Sequence, residues 1–577
     1  MKNSIHLLVF SLITAASLHA DNIVFPPESG VINVKSQYGA KGDGSTDDTA
    51  AIQRAIDETK GKPSTLYFPD GTYLLCDRVG MVGGKDRFVV FQGQSEMGTI
   101  LKLKDNCPGF QDAAKPKEVF SMHNGQSTGD CMRGYFNDMT VDTGKGNPGA
   151  SGLRYFTNNT GGVRNVTIKS SGPKLIGGIG LDLTQSQNGP GVIKNVTVIG
   201  FDTGIALDNA FAMAFEHIRL ANQNKLGFVC TQRVAMRDLI SNNRVPAVNA
   251  VNVSTGYATL ALVDSELKGG SPTEAAILKS GGLYLRNVKQ SGYGATVKDG
   301  KGEMLLDKPA VVEWVQKEIG AFGAKKGEGI MLPVKETTVC FPPGESVKID
   351  GPIRVTGSVS RIGGMESLVD VFDPSGVFEK GKPVFTFENL TGPAIVVERF
   401  FKLGGWKGKR FMHMFENKTS KPLILRNLDI NTTLRIPGGG GEIYLEDVGG
   451  TPLKVAKGEK AWLRQYNPES SNVEMLQVDG GTAWWLGLKT EGRATHVVAT
   501  NVAKVEVLGG TSYQSWSGQK LDPPMFKSVN SDVFFSIGFY ETDGARAFSV
   551  VAEQTNAGKS ETLTKDKLVG NFRTYSN

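Results

Sequence analysis

Residues 39–53 read Gly-Ala-Lys-Gly-Asp-Gly-Ser-Thr-Asp-Asp-Thr-Ala-Ala-Ile-Gln, and residues 66–73 read Leu-Tyr-Phe-Pro-Asp-Gly-Thr-Tyr. Gly39, Gly42 and Gly44 make a turn that runs directly into a helix start. Thr46, Asp47 or Asp48 can take up the free N–H groups there, and carboxylates suit the positive end of the helix dipole. Ile52, Ala55 and Ile56 recur at the i, i+3, i+4 spacing, which predicts a helix over 49–58 with one apolar face. The second stretch is a short strand closed by a Pro-Asp-Gly turn and followed by another strand. A phosphate-loop reading of the glycines fails. Only the short segment Val31–Val34 precedes them, and no Gly-Lys-Ser/Thr follows.

Working outward, the chain repeats a theme without repeating its letters. Short segments of the Asn-Val-Thr-Ile type recur at Asn165–Ile168, Asn195–Val198, His217–Leu220, Arg237–Ile240, Val263–Leu267 and Leu283–Val288. Their period of about 20 to 30 residues is a coil length for a stack in which each turn buries its inward side chains on the next. The Leu-x-x-Leu-x-Leu frame of a leucine-rich horseshoe is absent. Mid-chain, Thr338-Val339-Cys340-Phe341-Pro342-Pro343-Gly344 echoes Thr65–Gly71, after which the theme resumes at Leu423–Ile430, Glu442–Val448, Val473–Val478, Val497–Val507 and Val533–Tyr540. Two tandem stacks follow, expected over 21–310 and 311–577 with the boundary near residues 305–320, and with Asp307-Lys308-Pro309 as linker. The polar tail from Asn556 is expected to fray.

The 577 residues exceed one ordinary core, and 72 glycines suit many short strands joined by tight turns. Residues 1–20 have the pattern of a secretory signal: Lys2, an apolar run over 7–16 and Ala20. That run is too short to span a bilayer, so a secreted or periplasmic protein with no membrane span is expected. Cys76, Cys107, Cys131, Cys230 and Cys340 include no Cys-x-x-Cys pair. They read as small buried hydrophobes, or as one or two disulfides within the group Cys76, Cys107 and Cys131. With 64 basic against 58 acidic residues and no basic tract, nothing points to nucleic acid.

The Gly-rich turn, helix and Phe-Pro-Asp-Gly strand resemble the N-terminal segment of the pectate-lyase-like superfamily. That resemblance implies an all-β chain of right-handed parallel β-helices with an N-terminal capping helix. Two such units in tandem resemble the exo-β-1,3-glucanase (laminarinase) family, which implies a glycoside hydrolase with its cleft between the halves and its acid on the second. Glu491 is the position matched to that acid and Glu469 to a second acidic member. Tyr155–Asn158, the stretch comparable to that family's proton relay, lacks the relay glutamine, and Gln185 and Ser186 do not align with it.

On the residues alone, 462–493 is the densest candidate region, with Trp462, Arg464, Trp484, Trp485 and Arg493 around the two glutamates. Twenty-two residues separate Glu469 from Glu491, about one coil, so their side chains can stack on adjacent turns. Paired carboxylates split acid and base roles, tryptophan faces seat sugar rings, and arginines hold anionic groups. The same tryptophans also fit coil interiors, with the glutamates on a solvated ridge. A lyase on a uronate polymer remains open, with Arg464 or Lys489 as base and Ca²⁺ on carboxylates; a hydrolase needs no cofactor. A non-catalytic glycan-binding β-helix remains open too. Asp138, Asp142, Asp202 and Asp208 read as turn and ladder residues. No two of His123, His217, His413 and His496 have metal-ligand spacing, so no metal site is expected. His496 is kept as a rim residue.

Overall fold

The computed structural model describes residues 22–576, apart from 60–61, 82–88, 123–131, 173–174, 186–187, 209–211, 251–258, 316–336, 341–345, 406–412, 432–433, 436–440, 515–522, 542–547, 565–571 and six single positions. The signal-like segment, His123, Cys131 and Ser186 lie outside the described residues.

Two parallel β-helices stand side by side. The first has a 14-stranded sheet running from Ile32–Asn33 to Ala310–Val315 and a ten-stranded sheet from Val79–Gly80 to Met304–Leu306. The second has an 11-stranded sheet from Thr337–Cys340 to Phe572–Ser576, with three- and seven-stranded sheets behind it. Strands one coil apart pair parallel and in register, as Val196 with Val166 and Ile218 do. Each unit closes its own apolar core, one holding Phe91, Phe136, Phe215 and Leu285, the other Phe387, Leu425, Trp485 and Phe535.

The quoted stretch forms as read over 49–58. Helix Thr49–Glu58 buries Ile52, Ala55 and Ile56 in the first core. Asp48 precedes it without a side-chain cap bond; its carboxylate instead accepts the Lys41 and Gly42 N–H groups at 2.6 and 2.9 Å, tying the glycine turn down.

Three expectations are corrected. Ala310–Val315 pairs antiparallel with Gly282–Gln290, so the first sheet runs past residue 310. The expected linker belongs to it as well, since Lys308 and Pro309 accept from Thr296 and Gln290. The tail does not fray throughout: Lys559–Thr564 and Phe572–Ser576 close two sheets as antiparallel strands. Cys76, Cys107 and Cys230 are free thiols, the Cys107 Sγ lying against the Cys76 carbonyl oxygen at 3.0 Å.

The recurrent sequence theme has a backbone cause. Beyond Arg133 and Asn159 near the starts of Met132–Asp142 and Asn158–Lys169, most long strands bend part-way along through a residue in the left-handed region. In the first unit these are Asp138, Asn165, Asn195, His217, Asp238, Asp264 and Asn287, with φ between 50 and 57°. Asn and Asp tolerate that conformation best after glycine. Their side chains bond along the stack, Asn165 to Asp138 and Asn195 to Asn165. The second unit bends at Asn427, Asp447, Gln465, Gly487 and Gly509.

Candidate active site between the two β-helices

Residues just before each bend point outward, and in both units that face is the one the other unit covers. Ala235, Ala261, Val263 and Tyr284 meet Trp484, Leu486, Leu508 and Phe534 in an apolar patch. Beside it runs a buried ion-pair network. The Glu216 carboxylate takes Arg464 at 2.6 and 3.0 Å and Arg237 at 2.8 Å, and Glu446 takes Lys194, Arg164 and Arg426. Burial alone would push the Glu216 carboxyl up, but Arg464 and Lys194 outweigh it and hold it well below the usual carboxylate range. Glu446 is lowered likewise against its burial, by Lys194, Arg164 and Arg426.

Three of the expected binding residues are buried in this arrangement. Arg464 is buried and committed to Glu216, so it neither reaches a substrate carboxylate nor acts as a base. Trp484 is buried in the inter-helix patch with its Nε1–H donated to Glu506 at 2.6 Å. Trp485 points the opposite way, into the second core beside Tyr466, because neighbouring strand residues face opposite sides. Trp462 is half-buried against Tyr444 and Trp484 at the same junction. Trp462, Arg464, Trp484 and Leu486 of this one segment lie at the junction of the two stacks, while Trp485 and Tyr466 fill the second core, which is why the segment looked so dense. His496 is corrected too: it is fully buried between Phe526 and Phe548, bonded to Ser512, and burial pushes its imidazole down to about 4.

Past the bend, outward residues of the second unit line the edge of the seam. Asp429 pairs with Gly449 and Gly449 with Asn467; Tyr466 pairs with Leu488, which sets Asn467 beside Lys489, and Lys489 pairs with Thr511. Lys489 is almost wholly buried and is the node of the cluster. Its Nζ donates to Glu469 at 2.6 Å and to Glu491 at 2.8 Å, and it reaches Asn159 of the first unit at 3.4 Å. Asn467 Nδ2 adds a bond to Glu469 at 3.3 Å. The two glutamates are thus brought together on one ammonium, at the line where the β-helices meet. Glu491 is the more enclosed, with its side chain 24 % exposed against 42 % for Glu469. Arg493, half-buried two residues on, makes no hydrogen bond or ion pair with the described residues.

Two carboxyls at this seam were not singled out from the sequence. Asp447 is fully buried, accepts Tyr135 O–H at 2.6 Å and Gly161 N–H at 3.0 Å, and burial pushes it up to about 6 despite Arg164 and Arg133. Asp429 is raised as well, by burial and by the charge of Glu469, with Arg133 and Lys402 opposing. The signal was available: Asp429, Gly449, Asn467 and Lys489 each stand two residues after a bend residue. Asp138 and Asp142, by contrast, serve the bend ladder and a turn as expected. Among the described residues no group of three or more His, Cys, Asp or Glu side chains gathers for a metal, and no helix is long and apolar enough to cross a membrane.

Residues 31–269 match the family model described as rhamnogalacturonase A/epimerase, pectate lyase-like. The matched residues cover most of the first β-helix, which is similar to that family over this stretch. Among curated proteins, alginate lyase 7 of Azotobacter vinelandii is 32 % identical over 147 residues, 24 % of this chain and 16 % of that protein. A probable glucan endo-1,3-beta-glucosidase of Arthroderma benhamiae is 24 % identical over 393 residues, 57 % of this chain and 41 % of that one. The matched stretches thus span 12 to 41 % of the curated relatives' lengths. The solved structure of sacteLam55A from Streptomyces sp. SirexAA-E aligns over 96 % of this chain and 99 % of its own, with a TM-score of 0.51 at 12 % identity. The whole tandem fold is shared with that protein.

Proposed function

We propose that this chain is an exported polysaccharide-degrading glycoside hydrolase that cleaves a neutral glucan in the groove between its two β-helices. The observation that carries the reading is the convergence of Glu469 and Glu491 on the buried Lys489 ammonium, with Asn159 of the other unit on the same nitrogen. One ammonium between two carboxylates leaves an excess negative charge, which a proton neutralises once substrate excludes water. Glu491, the more enclosed, is the proton donor to the glycosidic oxygen. Glu469 takes the proton of the attacking water or stabilises the cationic sugar.

The curated relatives that carry glucan 1,3-beta-glucosidase names support a β-1,3-glucan as substrate. The local charge favours a neutral chain over a uronate polymer, since carboxylates outnumber the amine at the cluster. The lyase alternative has support in the alginate lyase match. Against it, Arg464 is closed off by Glu216, and the Lys489 Nζ is committed to Glu469, Glu491 and Asn159. The pattern over 1–20 supports export.

The test is wild type against Glu491→Gln on β-1,3-glucan, read for reducing ends and for ultraviolet-absorbing unsaturated products. Reducing ends from wild type and a loss of at least about 10²-fold in Glu491→Gln are expected, the usual contribution of a positioned acid. An unsaturated product, or full activity in the variant, refutes the assignment.

A further inference from the structure

We propose that Asp429, Gly449 and Asn467 line a further sugar-binding subsite, centred on Gly449 and about 10 Å along the stack from Lys489, two coil spacings. The ligand is a neutral hexosyl unit that presents adjacent hydroxyls. This inference rests on the hydrolase reading for its place beside the reacting bond, and on its own geometry for binding.

Three observations carry it. Asp429 stands on the same outward column as Asn467 and Lys489, yet its carboxylate accepts no hydrogen bond from any described residue. Asn467 is more than nine-tenths buried, and while its Nδ2 serves Glu469 its Oδ1 has no partner. Between them Gly449 carries no side chain: a Cβ built there would touch only Thr160 Cγ2 at 3.7 Å and the Asn467 carbonyl oxygen at 3.8 Å. The column therefore has a one-residue recess, walled by Thr160 of the first unit, with an unused acceptor at each end. A carboxylate and an amide spaced along a shallow recess match the donor-rich edge of a hexose ring, and each is otherwise expensive to leave unpaired. The charged groups facing Asp429 are Arg133 from the first unit, Lys402 from the preceding coil and Glu469 from the cluster. Arg133 is spent on the Asn427 carbonyl oxygen at 2.7 Å.

The experiment uses the full chain, β-1,3-linked gluco-oligosaccharides of increasing length and p-nitrophenyl β-glucoside. Asp429→Asn removes the charged acceptor, and Gly449→Val fills the recess. Both are expected to raise KM and the calorimetric Kd for the longer oligosaccharides roughly tenfold to a hundredfold, the range for a hydrogen bond to a charged group. Turnover of p-nitrophenyl β-glucoside, too short to reach the recess, stays at the wild-type value. Unchanged dependence of KM and Kd on chain length in Asp429→Asn, with an unchanged Tm, overturns the subsite. A wild type that binds the oligosaccharides without cleaving them refutes the hydrolase reading alone, and the loss of binding in Asp429→Asn then still supports the subsite. A wild type that neither binds nor cleaves them overturns both.

Discussion

Replacing Asp447 by asparagine tests how the seam between the β-helices is built. The side chain is fully buried, with Oδ2 accepting from Tyr135 and Gly161 and Oδ1 without a partner. Asparagine keeps the shape and can keep both acceptor bonds, while removing the ionisation. Burial raises the carboxyl from 3.8 to about 6, outweighing the two arginines and both hydrogen bonds. Two pKa units correspond to about 3 kcal/mol between the charged and neutral forms. The folded state here binds the proton more tightly than the unfolded chain does. The contribution is therefore fully present below pH 3.8 and is lost as pH rises through about 6. Asp447→Asn should match wild type near pH 4 and exceed it by about 3 kcal/mol at pH 8. In a unit of this size that is a rise of roughly 5 °C in Tm. Thermal unfolding of both proteins at pH 4, 6 and 8 measures the difference directly. A lower Tm for the variant at pH 8, or a difference independent of pH, refutes the reasoning: Arg133 and Arg164 would then hold Asp447 as a stabilising carboxylate.

Arg464→Ala leaves Glu216 buried with one main partner gone and is expected to cost about 3–5 kcal/mol, with the Tm falling together with any activity; a variant inactive but as stable as wild type would return Arg464 to substrate binding. Gly509→Ala places a Cβ 2.5 Å from the Ala235 Cβ at φ +65°. It should lower the Tm by several degrees, through about 1–2 kcal/mol of backbone strain plus the forced separation of the two units. An unchanged Tm would mean that the seam has slack there.

Most of the fold was legible because one backbone event repeats in every coil. The left-handed bend selects Asn and Asp, so Asn165, Asn195, Asp238, Asp264 and Asn287 mark the coils even where no other letter recurs. The helix over 49–58 was legible from three apolar residues at helical spacing. The boundary between units was legible only to within 305–320, because strand Ala310–Val315 turns back antiparallel and carries no bend residue. The closure of the tail was not legible, since its alternating polar residues face solvent on an edge hairpin and look like loop. Arg464 meets Glu216 across 248 residues of chain and Lys194 meets Glu446 across 252, pairings that no local pattern expresses.

The same bend column explains why chemistry gathers at one level of the seam. Along the second unit its members include Arg399, Asn427, Asp447, Gln465, Gly487 and Gly509, and the side chain is lost at the last two. At Gly487 and Gly509 the first unit's Ala214 and Ala235 come so close that an added Cβ would lie 2.9 or 2.5 Å from theirs. At Asn427 and Asp447 polar side chains fill the gap and accept across it from Arg164, Tyr135 and Gly161, while Arg133 donates to the Asn427 carbonyl oxygen. Glycine is required at the tight end twice over, for its left-handed φ and for the missing Cβ. Lys489 and Asn467 stand at the transition between these regimes. Tight packing on one side fixes Lys489 in place, so the glutamates it holds are pre-positioned without any contact to substrate. The wider side supplies the recess at Gly449. The tapering seam thus sets the charged cluster on Lys489 beside the polar column at Gly449; in the function proposed above, the first holds the acid still and the second accepts a sugar.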